Sequence, residues 1–263
     1  AKPNNIASKD SKGKYILFLN NDTIVTKIFL SELITTAESN KEYGIFQSLL
    51  LKPNKEIDSS GDFINELGIV YNSKSSITKI RKISSARGAS MMIRKSLFRK
   101  LHGFDERFFV SFEDVDLCWR SWILGNPVVI VPSSVVYHIG GQTIKTIKNR
   151  IAFHGFKNQI CMKMTNFEAN LVFKNLFLFF IKYGIRELRI WIDYKLYKKT
   201  YLSSTEYETN SAPNPSLKII LKSIIWIFFN LKYIYKKHKI VNSSRVISTK
   251  KLKELKIMCN VKQ

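Results

Sequence analysis

An α/β fold is predicted for this chain of 263 residues by three observations. Short apolar runs at 14–19 and 44–51 are separated by an amphipathic stretch at 28–37, so strand, helix and strand alternate. Further short runs of β-branched residues, VVIV and VVY, follow an acidic, aromatic stretch with helical character. A hydrophobic content of 45% is enough for a packed core. Alternation of this kind predicts a parallel sheet with helices against it.

Taken in order, Lys14–Leu19 (KYILFL) is a buried strand, and Asn20-Asn21-Asp22-Thr23 lies at its carboxyl end. In open α/β sheets that end is where ligands bind. Ile28–Ala37 is an amphipathic helix and Gly44–Leu51 a second strand. Pro53–Ser85 is rich in Ser, Lys and Asn, with Gly61 and Gly68, and is expected to be a long excursion with little regular core. Ala89–Ile93 is a third strand, and Lys95–His102 a short helix closed by Gly103. Glu113–Leu124 is a helix with Gly125 just past its end. Val128–Val131 and Val135–Tyr137 complete the strands, the second ending in His138 and two glycines.

Beyond Gly141 the character changes. Helices are expected at Phe153–Met164, Leu171–Tyr197 and Leu217–Lys237, with a polar linker at Ser203–Pro215. The formal net charge of +23 is uneven: residues 1–141 carry +5 and residues 142–263 carry +18. Such an excess predicts a polyanionic partner. The basic helices are also apolar and aromatic, with Trp191, Trp226, Tyr233 and Tyr235 among lysines, which favours an anionic membrane surface over nucleic acid, with an ordinary helical appendage packed on the first domain as the alternative. Neither of the last two helices offers 18 uncharged apolar residues, so a spanning segment is not predicted. Three scattered cysteines, Cys118, Cys161 and Cys259, suit a reducing compartment rather than a disulfide framework or zinc site.

The chemistry concentrates in a few side chains. Glu113, Asp114 and Asp116 fall in the first turn of their helix, where the helix dipole favours ionised carboxylates. An ionised carboxylate at the mouth of an apolar pocket is a plausible general base, and capping a helix is the ordinary alternative. Asp22 and His138 combine an oxygen and an imidazole donor, a set suited to Mn2+, and to Mg2+ less comfortably. Such a cation would neutralise a diphosphate leaving group.

Four stretches in this order resemble the family 2 glycosyltransferases with the GT-A fold, and most closely their rhamnosyltransferase and galactofuranosyltransferase-like branch. KYILFLNNDT is similar to the strand that leads into the family's D-x-D-type motif. ARGASMMIRKSLFRKLHGFDERFF resembles the segment before the catalytic helix. EDVDLCWR is similar to the acidic catalytic motif, and VVYHIGG to the strand bearing a histidine ligand.

The resemblance implies a GT-A-type, Rossmann-like mixed sheet flanked by helices over residues 1–145, with a helical appendage over 146–263. It implies Asp22 and His138 as ligands of Mn2+ or Mg2+, and Asp114 as catalytic base. Glu113, Asp116 and Arg120 would hold the acceptor or orient the base, and Arg87, Gly88 and Ala89 would line the donor side. Asn20 stands where the family's first acid is expected, leaving the cation fewer charged ligands.

The family's first nucleotide-binding strands have no counterpart before residue 14, and the chain begins with Ala, so an N-terminally incomplete domain is expected. The implied activity is inverting transfer of a hexosyl or pentosyl group from a nucleotide-sugar to a glycan or lipid-linked glycan, in polysaccharide biosynthesis. The expected location is cytoplasmic and peripheral, at the inner face of the cell membrane. A catalytically inactive, glycosyltransferase-like scaffold at the membrane surface is the alternative.

Overall fold

The structure, a computed structural model, describes residues 1–139, 148–174, 176–178, 181, 184–185 and 216–259. Most of the helix expected at Leu171–Tyr197, and the linker expected at Ser203–Pro215, lie outside the described residues.

A helix, α1 (Lys2–Asp10), leads into β1 (Tyr15–Leu19), β2 (Thr23–Val25), α2 (Phe29–Ser39) and β3 (Ile45–Leu51). Short strands β4 (Ile57–Ser59), β5 (Asp62–Asn65), β6 (Val70–Asn72) and β7 (Arg81–Lys82) follow, then β8 (Ser90–Arg94), α3 (Lys95–Lys100), α4 (Glu113–Ile123) and β9 (Val128–His138). The rest is α5 (Lys148–Asn166), α6 (Leu217–Phe229), α7 (Leu231–Ser243), α8 (Thr249–Glu254) and β10 (Met258–Cys259).

The main sheet is mixed, not parallel. Its order is β1-β8-β3-β9-β2, with β4 on β3 and β7 on β9. Only β3 and β9 among its pairs run parallel, while β8 is antiparallel to both β1 and β3. The two strands expected at 128–131 and 135–137 are one strand, whose register against β3 shifts between Ser48 and Leu49. That irregularity falls opposite Pro132–Ser134, and Pro132 cannot donate a ladder hydrogen bond.

The excursion at 53–85 is more ordered than expected. Its β5 and β6 form a second sheet with β10, which pairs parallel to β5. Short strands split by Gly61 and Gly68 carry too little periodicity to be read locally. The single helix expected at Leu217–Lys237 is two, broken at Asn230.

Described residues from both sides of the boundary expected between 145 and 146 pack together. One hydrophobic cluster contains Ile16, Met91, Trp119 and Trp122 together with Ile160, Ile227, Ile234, Leu252 and Met258. The N–H groups of Val246 and Ile247 donate to Ile123 O, at 2.8 and 3.1 Å, so the C-terminal region also closes the end of α4. Gly125 supplies the left-handed backbone after α4, with φ of 79°. Trp119 stacks on Phe167, ring centroids 5.4 Å apart, and Trp122 Nε1 donates to Ile83 O at 2.9 Å. Burying such rings is worth about 3–5 kcal/mol each against alanine, which fixes α4 beneath the sheet.

Candidate active site

Four segments far apart in sequence meet at one end of the main sheet. The β1–β2 turn carries Asn20 and Asp22, the loop before β8 carries Arg87 and Gly88, α4 opens with Glu113 and Asp114, and β9 ends in His138. The pairing of Thr23 with His138 across β2 and β9 brings the turn to the histidine, and the Ile139 N–H donates to Asp22 O at 2.9 Å.

Asp22 Oδ1 lies 3.6 Å from His138 Nε2, too far for a hydrogen bond. That oxygen is buried and has no hydrogen-bond partner. On its other side the imidazole donates from Nδ1 to Asp58 Oδ2 at 2.9 Å. Nδ1 therefore holds the proton of the neutral ring and leaves the Nε2 lone pair facing Asp22. The gap is shorter than two metal–ligand bonds of about 2.1 Å laid end to end, so one cation can touch both donors. The chemistry fits Mn2+ or Mg2+: a hard oxygen left unsatisfied, a neutral nitrogen, and a carboxylate orienting the ring from behind. Among the described residues no group of three or more His, Cys, Asp or Glu side chains could hold a metal ion, so further ligands would come from substrate or water.

Asp58 was not legible in the sequence. Burial pulls its pKa upward, but the hydrogen bond from His138 and the charge of Arg87 outweigh this and hold it below the ordinary value. The His138 pKa is raised, first by the Asp58 hydrogen bond and against its own burial. Arg87 continues the chain of charges: Nη1 is 3.8 Å from Asp58 Oδ2, and Nε donates to Asp62 Oδ1 at 3.2 Å. Its Nη2 is buried without a hydrogen-bond partner. Arg87, His138, Asp58 and Lys52 line a cleft of about 480 Å3.

Asp114 is fixed from two sides. Oδ2 accepts from the Gly88 N–H at 3.0 Å and Oδ1 from the Val115 N–H at 2.8 Å. Burial raises its pKa against these bonds and the nearby Arg87. Glu113 beside it is pushed up to about 7, by burial and then by the charge of Asp114, and its Oε2 has no partner. Two adjacent carboxyls in little water share protons as a pair. Asn20 and Gly88 line a second cleft of about 390 Å3, between α1 and β1.

Three expected site residues sit elsewhere. Asp116 is fully buried, held by Arg120 at 2.8 Å, Asn166 at 2.9 Å and Lys237 at 3.1 Å. Arg120 is spent on Asp116 and on the carbonyls of Leu101 and Gly103. Both therefore brace α4, the helix that carries Asp114, against α7 and the loop after α3. The Ala89 methyl packs in a small core with Leu50 and Val136, and Ala89 contributes to the site only a carbonyl that accepts from the Asn20 N–H at 3.1 Å.

The sequence profile of Glycosyl transferase family group 2 matches residues 15–205. O-antigen biosynthesis protein RfbC of Myxococcus xanthus is 30% identical over 148 residues, 51% of this chain and 12% of its own length. Rhamnosyltransferase WbbL of Escherichia coli K12 is 30% identical over 155 residues, 51% of this chain and 58% of its own. N-acetylglucosaminyl-diphospho-decaprenol L-rhamnosyltransferase of Mycobacterium tuberculosis is 41% identical over 58 residues, 22% of this chain and 19% of its own. This chain thus spans little more than half, and often far less, of the curated relatives it matches. Among solved structures, the mannosyltransferase PcManGT of Pyrobaculum calidifontis, in complex with GDP-Man and Mn2+, superposes with a TM-score of 0.50 at 11% identity, covering 93% of this chain and 64% of its own. The mixed sheet and flanking helices are those of a GT-A-type glycosyltransferase. A profile match across most of the sheet and α5, on a fold of that type, has one conclusion: the chain belongs to glycosyl transferase family group 2.

Proposed function

We propose that this chain is the catalytic part of an inverting glycosyltransferase that moves a sugar from a nucleotide-sugar to a hydroxyl of a glycan or lipid-linked glycan. The observation that carries the reading is the Asp114 carboxylate, clamped by the Gly88 and Val115 N–H groups at the sheet end that also bears Asp22 and His138. A base so held needs no reorganisation before it acts. Asp114 takes the proton of the acceptor hydroxyl. That oxygen bonds to the anomeric carbon from the face opposite the nucleotide, and the carbon–oxygen bond to the nucleoside diphosphate breaks with its electron pair. Asp22 and His138 would hold a divalent cation, Mn2+ or Mg2+. When bound, the cation supplies positive charge to the leaving diphosphate. Arg87 adds a fixed cation, with Nη2 still free to donate.

The acceptor is amphiphilic in this reading and is met at the cytoplasmic face of an anionic membrane. Support comes from α6, where Leu217, Leu221, Ile224 and Phe228 form an exposed apolar stripe beside Lys218 and Lys222. Among the described residues no helix is long and apolar enough to cross a membrane. The test is release of nucleoside diphosphate from a panel of UDP-, dTDP- and GDP-sugars, with membrane extract as acceptor source, Mn2+ against EDTA, and Asp114→Asn as control. Release that persists undiminished in the Asp114→Asn protein refutes the base; absence of release with every donor refutes the enzyme.

A further inference from the structure

A groove of about 710 Å3 lies between the first turns of α5 and one face of α6, and the mechanism leaves it unused. One wall is apolar and aromatic: Phe153, Ile219, Ile225, Trp226 and Phe229. The other ingredient is cationic, from Arg150, Lys218 and Lys222. Residues 218, 222, 225 and 229 follow helical spacing, so one stripe of α6 carries two lysines in its first half and two apolar side chains in its second. Neither α5 nor α6 contains a single Asp or Glu. Among the described residues the three cations have no acidic partner within ion-pair distance. A groove that is both greasy and uncompensated in charge fits a ligand that is both lipid and anion.

The groove is tied to the catalytic helix. The Arg150 guanidinium lies 4.5 Å from the centroid of the Phe109 ring, and Phe109 packs on His154 with centroids 5.3 Å apart. Phe109 belongs to the loop that enters α4 five residues before Asp114. At the groove's other end, Lys157 sits 4.1 Å over the Trp226 ring, and Asn230 Oδ1 accepts from Arg107 Nη1 at 2.5 Å. The 105–112 loop thus lies against the groove on one side and leads to the base on the other.

The geometry points to this groove as the binding site for the phosphates and first lipid units of a lipid-linked acceptor, of the diphospho-prenol class that the Mycobacterium tuberculosis relative is named for, with Arg150, Lys218 and Lys222 on the phosphates and Trp226, Ile225 and Phe229 on the chain. Lysine and arginine are the usual donors to phosphate, and aromatic rings cover a chain that must leave the bilayer. The assignment rests on the transferase reading for the word acceptor, but the binding itself does not.

The test therefore measures binding with farnesyl diphosphate as probe. EDTA is present so that no cation can hold the diphosphate at Asp22 and His138. Titration is followed by calorimetry, with farnesol and inorganic pyrophosphate as half-ligands and phosphatidylglycerol vesicles as the bilayer control. Saturable binding of farnesyl diphosphate, weaker for either half-ligand, is expected. It should fall about tenfold or more in K218E/K222E, given what a charge-assisted hydrogen bond contributes. Ile225→Glu, which keeps both lysines, should weaken it as well, and Asp114→Asn should leave it unchanged. Both lysines and Ile225 are exposed, so the fold should tolerate these changes, which circular dichroism checks. Equal affinity in the wild type and K218E/K222E overturns the site. So does farnesyl diphosphate binding no tighter than inorganic pyrophosphate, which would make the groove a bare anion patch. Binding without any sugar transfer would leave the groove standing and remove the transferase reading.

Discussion

His138 Nδ1 and Asp58 Oδ2 are 2.9 Å apart, although the residues are 80 positions apart in the chain. The bond selects the imidazole tautomer and turns Nε2 toward the unsatisfied Asp22 oxygen. Asp58→Asn should keep the fold and lower Mn2+ affinity about 10–100-fold, the usual consequence of losing a carboxylate behind a ligating histidine. Titration of free Mn2+ by electron paramagnetic resonance reads this without turnover. An unchanged Mn2+ affinity would mean that the ring is held well enough by β9 alone.

Glu113 and Asp114 titrate together. Burial and the Asp114 charge push Glu113 up to about 7, and burial raises Asp114. A base must be ionised, so kcat should rise with pH through the pair's apparent pKa and level off above it. Glu113→Gln removes the neighbouring negative charge. The rising limb should then move to lower pH, with the plateau within about tenfold of wild type. A limb that stays in place would assign the titration to another group.

The sheet end was legible in the sequence because its residues sit at element boundaries. Asp22 follows an apolar run, Asp114 opens a helix, and His138 ends a strand, so local pattern placed all three. Asp58 lies in IDSSGDF, between strands too short to show a period, and nothing local marks it as the partner of a histidine 80 residues on. Asp116 and Arg120 could not be told apart from Asp114 by local pattern. They share the acidic motif with Asp114, but on a helix positions 114 and 116 point about 200° apart, so only one of them can face the sheet end. Their partners Asn166 and Lys237 come from residues 146–263, which the resemblance made a separate appendage.

That buried network has a measurable acid signature. Burial alone would raise the Asp116 pKa, but Arg120 and then Lys237 hold it down to about 2. The unfolded value is near 3.9, so its stabilisation is fully present above about pH 5 and is lost as pH falls toward 2. Asp116→Asn leaves the buried Arg120 charge without its carboxylate, while Lys237 keeps Asp105 at 2.6 Å, and should destabilise the protein by about 3 kcal/mol at neutral pH. Urea unfolding between pH 3 and 7 should show the variant's deficit shrinking toward the acid end. A deficit independent of pH would show that packing, not charge, accounts for the loss.

The last link runs from α5 to the base. Ser111 and Phe112, immediately before α4, both have left-handed backbones, with φ of 66° and 69°. Such a conformation costs about 1–2 kcal/mol at each non-glycine residue, so something must hold it. Asn158, fully buried on α5, donates from Nδ2 to Val110 O at 3.0 Å and to Ser111 O at 2.7 Å. The clamp fixes the entry of α4 and hence the reach of Asp114. Asn158→Ala should therefore lower kcat about 10–100-fold, through misplacement of the base, while Mn2+ affinity and donor KM stay near wild type. Adding Ser111→Gly relieves strain at one of the two residues, because glycine adopts positive φ freely, and should return part of the lost kcat. A merely structural role for Asn158 would instead lower thermal stability with no change in kcat among the folded molecules, and Ser111→Gly would restore nothing catalytic.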